Sequence, residues 1–336
     1  MSIVKINSES KIYVVCPAYN KTGGTELSHQ FVFECNQQKI NAIITYFNED
    51  NQKEMINPAF KNYVTKYEII ENVEDDANNV LILPEIKADY TKKFQSIQKC
   101  IWWMSVDNFK KRNGINGSIK YYGFLRTIKF LLKKKINFFP YKLSNNVIHF
   151  YQSEYARQFL LKNNITNMYK LSDYINDSYL EKNINLKKEN NVLYNPKKGL
   201  EFTKKIIKKS PQFNWIPIEN MSNDEVAKLL RKSKVYIDFG NHPGKDRFPR
   251  EAAISGCCVI TGKRGAAKYH EDIPINDEFK FDDANKNIPK IINEINDCIN
   301  NYSSNYEKFE EYRKIISNEH NVFKQDIKNI FKVNEL

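Results

Sequence analysis

A short basic stretch late in the chain carries the side chains best suited to binding a charged ligand. Lys245, Arg247 and Arg250 supply three cations within six residues, and the carboxylate of Glu251 follows them directly. Pro249 suits the first turn of a helix, whose N-terminus would add a partial positive charge. Cations at a helix N-terminus can hold a diphosphate, and Glu251 could accept hydrogen bonds from two sugar hydroxyls.

Two further loops carry groups of a similar kind. Lys197 and Lys198 lie in an Asn-Pro-Lys-Lys-Gly sequence before a predicted helix, and Gly265 ends a Gly-Lys-Arg-Gly turn that could contact a base or ribose. All of these loops follow predicted strands. Because ligands of open α/β sheets bind at the carboxyl ends of the strands, we expect the loops to line one site.

An early loop combines a glycine pair with the predicted start of a helix. Gly23 and Gly24 follow the first predicted strand, and Thr25 and Glu26 come next. The glycines allow the backbone to approach a ligand, and Thr25 could cap a helix whose free N–H groups favour an anion. A phosphate or an acceptor group could bind there, although a glycine pair before a helix is also typical of a tight turn. No G-K-[ST] follows, which excludes a P-loop.

The elements that must position these groups alternate between strands and helices. Apolar runs predict strands at 12–16, 42–47, 80–83, 100–104 and 147–151. After a polar stretch at 180–191 the pattern restarts, with strands at 192–194, 213–218, 235–239 and 257–261 and helices at 200–209, 223–232 and 250–255. This alternation predicts parallel sheets with helices on both faces. We expect domains at 1–180 and 181–301, followed by terminal helices at 302–336.

Composition narrows the class of protein. With 336 residues, 41% hydrophobic and 27% charged, the chain is typical of a folded globular protein, which excludes a collagenous or mostly disordered one. Its six cysteines show no C-x-x-C spacing, so we expect free thiols and a cytoplasmic location. No stretch approaches the ~18 apolar residues of a membrane span.

The net charge of +12 comes mainly from one segment. Residues 110–142 hold ten basic side chains and no acidic ones, interleaved with aromatic and leucine residues. Such a mixture suits a basic amphipathic helix on an anionic membrane surface. The alternative is a helix whose apolar side is core and whose lysines are only solvated. A nucleic-acid surface is disfavoured, because the chain has no helix-turn-helix, zinc-finger or RNP-like motif.

Three segments together resemble a known family. They are G-G-T-E at 23–26, Y-N-P-K-K-G at 194–199 and P-R-E-A-A-x-x-G-x-x-V-I at 249–260, the last similar to the E-A-x-A-x-G-x-P-V-I donor segment of GT-B fold glycosyltransferases. This broad group includes capsular and lipopolysaccharide glycosyltransferases. The resemblance implies two Rossmann-like domains facing across a cleft, with a C-terminal helix crossing back to the first domain.

The resemblance also implies a function. The enzyme would move a sugar from a nucleotide-sugar donor, bound by the second domain, to a glycan or lipid-linked acceptor, bound by the first. It would act in surface polysaccharide synthesis, without a metal or cofactor, at the inner face of the membrane. The alternatives are a non-catalytic nucleotide or sugar-phosphate binding protein and a basic membrane- or nucleic-acid-binding protein.

The same resemblance implies donor-binding roles for several residues. Glu251 would bind the ribose or sugar hydroxyls, and Lys198 with Arg247 or Lys245 would neutralise the diphosphate. The family's E-x7-E pattern needs an acidic residue at position 243, which is proline here. Asp246 is the candidate substitute carboxylate. This departure leaves the donor sugar and the stereochemical outcome open.

Two features of the sequence bear on mechanism. The chain has no D-x-D motif and no His/Asp ligand spacing, so we expect no metal site. An inverting reaction would need a general base, for which Asp107, Glu85 and His149 at predicted strand ends are candidates. Asp107 could instead cap a helical turn, and His149 could be a core histidine. The resemblance favours a retaining reaction, which needs no such base.

Overall fold

The chain forms two compact units. The computed structural model describes residues 3–48, 52–64, 66–133, 146–180 and 187–332. One unit comprises Met1–Asp173 and Asn321–Leu336, and the other comprises Tyr174–His320. The boundaries fall after residues 173 and 320, whereas the sequence placed them after 180 and 301. Residues 181–186 of the predicted linker lie outside the described part of the chain.

The first unit is built on a seven-stranded parallel sheet in the order β3-β2-β1-β4-β5-β6-β7. Its strands are β1 (Ile12–Pro17), β2 (Ala42–Phe47), β3 (Tyr67–Ile69), β4 (Val80–Pro84), β5 (Gln98–Trp103), β6 (Val147–Tyr151) and β7 (Met168–Lys170). Its helices are α1 (Gly23–Gln37), α2 (Val106–Arg112), α3 (Ile115–Tyr122), α4 (Phe124–Leu132) and α5 (Glu154–Lys162). The central strands are buried, because helices cover both faces of a parallel sheet, and this burial explains their apolar runs.

The second unit is built on a five-stranded parallel sheet in the order β12-β11-β10-β8-β9. Its strands are β8 (Glu189–Tyr194), β9 (Asn214–Pro217), β10 (Ser233–Asp238), β11 (Cys258–Gly262) and β12 (Lys280–Phe281). Its helices are α6 (Leu200–Lys209), α7 (Asn223–Lys232), α8 (Arg247–Ile254), α9 (Ile288–Asn300) and α10 (Tyr302–Glu307), followed by the start of α11 (Glu310–Ile330). The two parallel sheets confirm the predicted α/β class.

Helix α11 begins in the second unit and ends in the first. Phe323 and Phe331 pack against Phe31 of α1, with ring centroids 6.4 and 5.7 Å apart. The Val4 N–H donates to the Ile330 carbonyl at 3.2 Å. These contacts confirm that the C-terminal helix returns to the first unit.

Strand pairing places the candidate site loops side by side. In the second unit β10 pairs with β8 and β11, so the loops after these strands share the carboxyl edge of the sheet. In the first unit β1 lies between β2 and β4, and the glycine pair follows it. All six cysteines are free and buried, as the sequence predicts. Among the described helices, none is long and apolar enough to cross a bilayer.

Candidate active site

The loop after β8 and the loop after β10 are in direct contact. Gly199 has a φ of +60°, and a Cβ there would lie 2.4 Å from the backbone carbonyl of Phe239. Only glycine fits this approach without strain. The contact brings the Lys198 side chain to the start of α8, where its ammonium forms an ion pair with the carboxylate of Asp246, the N-cap residue. Two of the basic loops found in the sequence therefore meet.

A histidine lies between two carboxylates at this edge of the sheet. His242 is fully buried, its Nε2 is 3.6 Å from Asp238 Oδ1, and its Nδ1 is 3.3 Å from Asp246 Oδ2. One ligand atom from each of the three residues lies within 4.8 Å of the others, so the cluster has the dimensions of a metal site. The expectation that the chain has no His/Asp ligand spacing is therefore wrong, because these residues recur at four-residue intervals.

The position of the ring bears on what this cluster can bind. A metal ion would take one ring nitrogen and one oxygen from each carboxylate, and these atoms are close enough together for that. In the ring as it lies, the two nitrogens face different carboxylates without a hydrogen bond to either. This second arrangement suits an imidazolium between two anions.

The electrostatics of the cluster agree with this assignment. Burial lowers the pKa of His242, but Asp238 and Asp246 outweigh that effect and leave it above its ordinary value. Burial acts in the opposite sense on Asp246, yet His242 and Lys198 hold its pKa well below the usual range. Asp238 in turn accepts hydrogen bonds from the Tyr236 hydroxyl at 3.0 Å and the Gly240 N–H at 2.9 Å.

Two of the cations predicted to bind the donor, Lys245 and Arg250, pair with a carboxylate of the protein, and their role in donor binding remains a prediction. Arg250 is fully buried and donates to Glu319 Oε2 at 2.8 Å and to the carbonyls of Asp246 and Lys245 at 3.2 Å. The Lys245 ammonium lies 2.7 Å from Glu319 Oε1. Glu319 belongs to α11, so this helix fixes the loop before α8. No pattern in the sequence pointed to Glu319, because it is 69 residues from Arg250.

The other predicted residues of this site lie at the same edge of the sheet or next to it. Arg247 is the first residue of α8, and Glu251 lies one turn later, largely buried. Lys197 is exposed. Gly265 has a φ of +58°, and a Cβ there would lie 2.0 Å from the His242 carbonyl oxygen, which accepts from the Ala266 N–H. Glycine is required at 265 for this contact.

The early glycine loop begins its helix three residues sooner than predicted. Thr22, rather than Thr25, is the N-cap of α1, and the helix starts at Gly23. The Thr25 hydroxyl accepts a hydrogen bond from the Thr22 N–H at 2.8 Å, and the Thr22 hydroxyl accepts one from the Thr25 N–H at 3.3 Å. The sequence prediction placed the cap at the wrong threonine because it assumed that the glycine pair lies outside the helix.

The glycine loop abuts the ends of two other strands. A Cβ on Gly24 would make an ordinary contact, 3.7 Å, with the sulfur of Met104 after β5. The Met104 N–H donates to Glu85 Oε2 at 3.1 Å, just after β4. Glu26, in the first turn of α1, lies 3.5 Å from the Tyr63 hydroxyl. Gly24 and Glu85 therefore lie at one carboxyl edge, as strand order requires.

The candidate general bases of the first unit contact other protein groups. Asp107 is buried in α2 and accepts a hydrogen bond from the Tyr155 hydroxyl at 2.8 Å, while Ser105 is the N-cap of that helix. His149 Nδ1 accepts from Trp103 Nε1 at 2.9 Å, and burial lowers the pKa of His149 to about 4. These contacts suit a core role for His149. The catalytic role of Asp107 remains a prediction.

Helix α4 exposes its apolar side chains. Leu125, Leu132 and Phe124 are 82%, 79% and 64% exposed. Its exposed basic side chains are Arg126 and Lys129, and Lys133 follows at the C-cap. At 100° per residue, the apolar and basic groups form two adjacent stripes. Residues 134–142 of the predicted basic segment lie outside the described residues.

No family model and no curated protein matches this chain, but solved structures share its fold. HepE from Anabaena, solved with UDP-glucose, matches with a TM-score of 0.54 and 12% identity over 95% of this chain and 99% of that one. A glycosyltransferase from Rickettsia africae gives a TM-score of 0.55 and 15% identity over 95% and 99%. The chain has the GT-B glycosyltransferase fold.

Other solved structures share the GT-B fold. An α-glucosyltransferase in complex with UDP-glucose and DNA matches with a TM-score of 0.56 and 10% identity, over 95% of this chain and 99% of that one. TarM from S. aureus, solved with UDP, has a TM-score of 0.54 and 16% identity over 78% of this chain. The chain spans 57% of the TarM chain. The GT-B fold inferred from the three sequence segments is confirmed.

Proposed function

We propose that the protein is a glycosyltransferase that uses a UDP-sugar as donor. The observation that carries the proposal is the meeting of Lys198 with the start of α8 at the carboxyl edge of the five-stranded sheet. Ligands of such sheets bind at this edge. HepE and the α-glucosyltransferase, which have the same fold, were each solved with UDP-glucose, which supports uridine as the base.

The residues of this edge suit the chemistry of the donor. When the bond from the sugar to UDP breaks, negative charge develops on the diphosphate. We assign its stabilisation to Lys198, Arg247 and the N-terminal N–H groups of α8, which are fixed before reaction. The Glu251 carboxylate, one turn into α8, accepts hydrogen bonds from ribose or sugar hydroxyls. We assign retention of configuration, which the resemblance favours and which requires no general base in the first unit.

The acceptor and the membrane belong to the first unit in this proposal. The acceptor, a glycan or a lipid-linked sugar of surface polysaccharide synthesis, binds near Gly23 and Gly24. Helix α4 docks on an anionic membrane surface, because its exposed leucines can enter the interface while Arg126 and Lys129 meet the lipid phosphates. This location is the inner face of the membrane.

Nucleotide binding tests the donor assignment. Saturation-transfer NMR with UDP, GDP, ADP, dTDP and CMP should show selective binding of UDP, weakened in Lys198→Ala and unchanged in Lys204→Ala, an exposed lysine of α6. Glu251→Gln should lower transfer from UDP-glucose by about 10- to 100-fold, since a hydrogen bond to a charged group contributes roughly 1.5–3 kcal/mol.

The outcomes separate the alternatives. Full activity of Glu251→Gln would show that Glu251 does not bind the donor. UDP binding without cleavage of any labelled UDP-sugar, in the presence of a range of acceptors, would favour a non-catalytic nucleotide-binding protein.

Vesicle binding tests the membrane assignment. The wild-type protein should sediment with phosphatidylglycerol vesicles, and a Leu125→Ser/Leu132→Ser variant should partition at least tenfold less, because about 2 kcal/mol of apolar burial per leucine is lost. Leu161→Ser, a partly exposed leucine of α5, is the matched control. Salt-sensitive binding to duplex DNA without vesicle binding would favour a nucleic-acid surface instead.

A further inference from the structure

Four charged side chains form a continuous series beside the proposed diphosphate site. Asp238 is the last residue of β10, His242 follows in the loop, Asp246 is the N-cap residue of α8, and Lys198 comes from the loop after β8. Tyr236 donates to the far oxygen of Asp238. Every member except Lys198 is at least largely buried, so water screens these charges little.

The position of His242 between two buried carboxylates favours its protonated form. A neutral imidazole has one N–H and one lone pair, whereas an ionised carboxylate only accepts. Both ring nitrogens face carboxylate oxygens, at 3.6 and 3.3 Å. Neither contact meets the geometry of a hydrogen bond, so it is the charge of the two carboxylates that favours a cationic ring between them. The positive charge also balances the two carboxylates, with Lys198 as the second cation of the four.

Asp246 is the point at which the two cations compete. The ammonium of Lys198 and Nδ1 of His242 both approach its Oδ2 atom. With a cationic His242, the four side chains have no net charge, and Lys198 and His242 both pair with the Asp246 carboxylate. With a neutral group at 242, Asp246 would attract Lys198 alone and the cluster would be negative, which repels a diphosphate.

We propose that His242 is a positioning residue: its imidazolium shares the Asp246 carboxylate with Lys198 and so leaves the Lys198 ammonium able to bind the diphosphate of the donor. The inference rests on the proposed function, because it concerns the same donor site. His242 touches no reacting atom in this role. It acts through Asp246 on Lys198.

Calorimetric titration with UDP at pH 7 tests the role. His242→Gln should weaken UDP binding about tenfold, the equivalent of roughly 1.4 kcal/mol. Uridine binding should stay unchanged, because the nucleoside has no phosphates. The His242→Gln/Asp246→Asn double variant should recover UDP affinity to within about threefold of wild type, because it releases Lys198 again. His270→Gln, an exposed histidine of the same unit, is the control.

Two results would overturn this role. Wild-type UDP affinity in His242→Gln would show that the imidazolium does not act on the phosphate site. A double variant as weak as His242→Gln would show that the ring has a packing role only, since restoring the charge balance did not restore binding.

The protonation state is measured separately, so that it does not depend on nucleotide binding. Long-range 15N–1H NMR at pH 6 should show both His242 nitrogens protonated. A ring with one unprotonated nitrogen, or a His242 signal that shifts with added Zn²⁺, would overturn the inference even if UDP binds. A doubly protonated ring in a protein that binds no nucleotide would instead refute the proposed function, and the positioning role with it.

Discussion

The β1–α1 loop and the β10–α8 loop both lead from a central parallel strand into a helix, yet different interactions hold them. The first is held by neutral hydrogen bonds, among them the paired Thr22 and Thr25 hydroxyls. The second is held by buried ion pairs, those of Asp246 with Lys198 and His242. A few side chains thus decide whether a loop at the same place in two similar sheets is held by neutral hydrogen bonds or by ion pairs.

Two buried histidines, His29 in α1 and His242 in the β10–α8 loop, show the same difference. In the first unit His29 Nδ1 lies 2.6 Å from the Thr25 carbonyl, which accepts, and Nε2 lies 2.7 Å from the Tyr46 hydroxyl, which can donate. A neutral ring satisfies both contacts, and burial lowers the pKa of His29 to about 4. His242 faces two acceptors and is a cation. The partners of a buried histidine, more than its burial, decide its charge.

The largest expected effect comes from the ion pairs around the β10–α8 loop. Glu319→Gln should lower the free energy of unfolding by about 3–5 kcal/mol, because it leaves Arg250 buried without its carboxylate. Urea denaturation measures the change. Glu278→Gln, whose partner Lys308 is partly exposed, should cost less than about 1 kcal/mol. Equal losses for the two variants would mean that the buried pair adds nothing beyond a surface pair.

The pH dependence of stability should distinguish the histidines. His29 and His149 stay neutral in the fold, with pKa values of about 4 against 6.5, whereas the unfolded chain takes up protons. Stability should therefore fall as the pH drops from about 6.5 to 4, by up to roughly 3 kcal/mol for each ring. Urea denaturation midpoints measured across this pH range check the loss, and His29→Gln should reduce the dependence of stability on pH. An unchanged slope would show that His29 does not resist protonation.

His242 should behave in the opposite way at higher pH. The folded-state pKa of His242 is raised above 6.5. The protonated ring therefore stabilises the fold at low pH, and this contribution is lost as the pH rises through the folded-state pKa. His242→Gln should remove this alkaline loss and leave the acid loss of the wild type in place. A variant that keeps the alkaline loss would assign it to another group.

The smallest effect in this series concerns the glycines of the two units. Gly199→Ala should destabilise the protein by about 2 kcal/mol, from a left-handed φ and a clash with the Phe239 backbone. Gly24→Ala, which meets only Met104 at 3.7 Å, should change stability by less than about 0.5 kcal/mol. Thermal unfolding of both variants checks this. If Gly24→Ala lowers transfer without lowering stability, the glycine loop binds the acceptor.

The interior of the fold could be predicted from the sequence because its signals are local. Strands at 42–47 and 147–151 and helices at 200–209 and 223–232 have the observed bounds. The sequence missed Tyr67–Ile69 and Met168–Lys170, which are three-residue strands at the edges of the sheet and partly exposed. Without burial on both faces they have no apolar run to detect.

The site was less predictable because its contacts are long-range. The rule that ligands bind at strand ends identified the loops that contain Lys198 and Asp246. It could not show that Glu319, far along the chain, would take Arg250 and Lys245 as partners. The sequence places His242 in the loop after a predicted strand, but only the structure shows that it lies between two carboxylates.

Because of helix α11, the first unit is begun first but completed last during synthesis. The residues that complete the first unit, from Asn321 onward, leave the ribosome after the whole of the second unit has been made. Domains usually fold from the N-terminus as they are synthesised. Here the second unit has all of its residues first, and the surface around Phe31 that receives Phe323 and Phe331 stays uncovered until the last turns of α11 emerge.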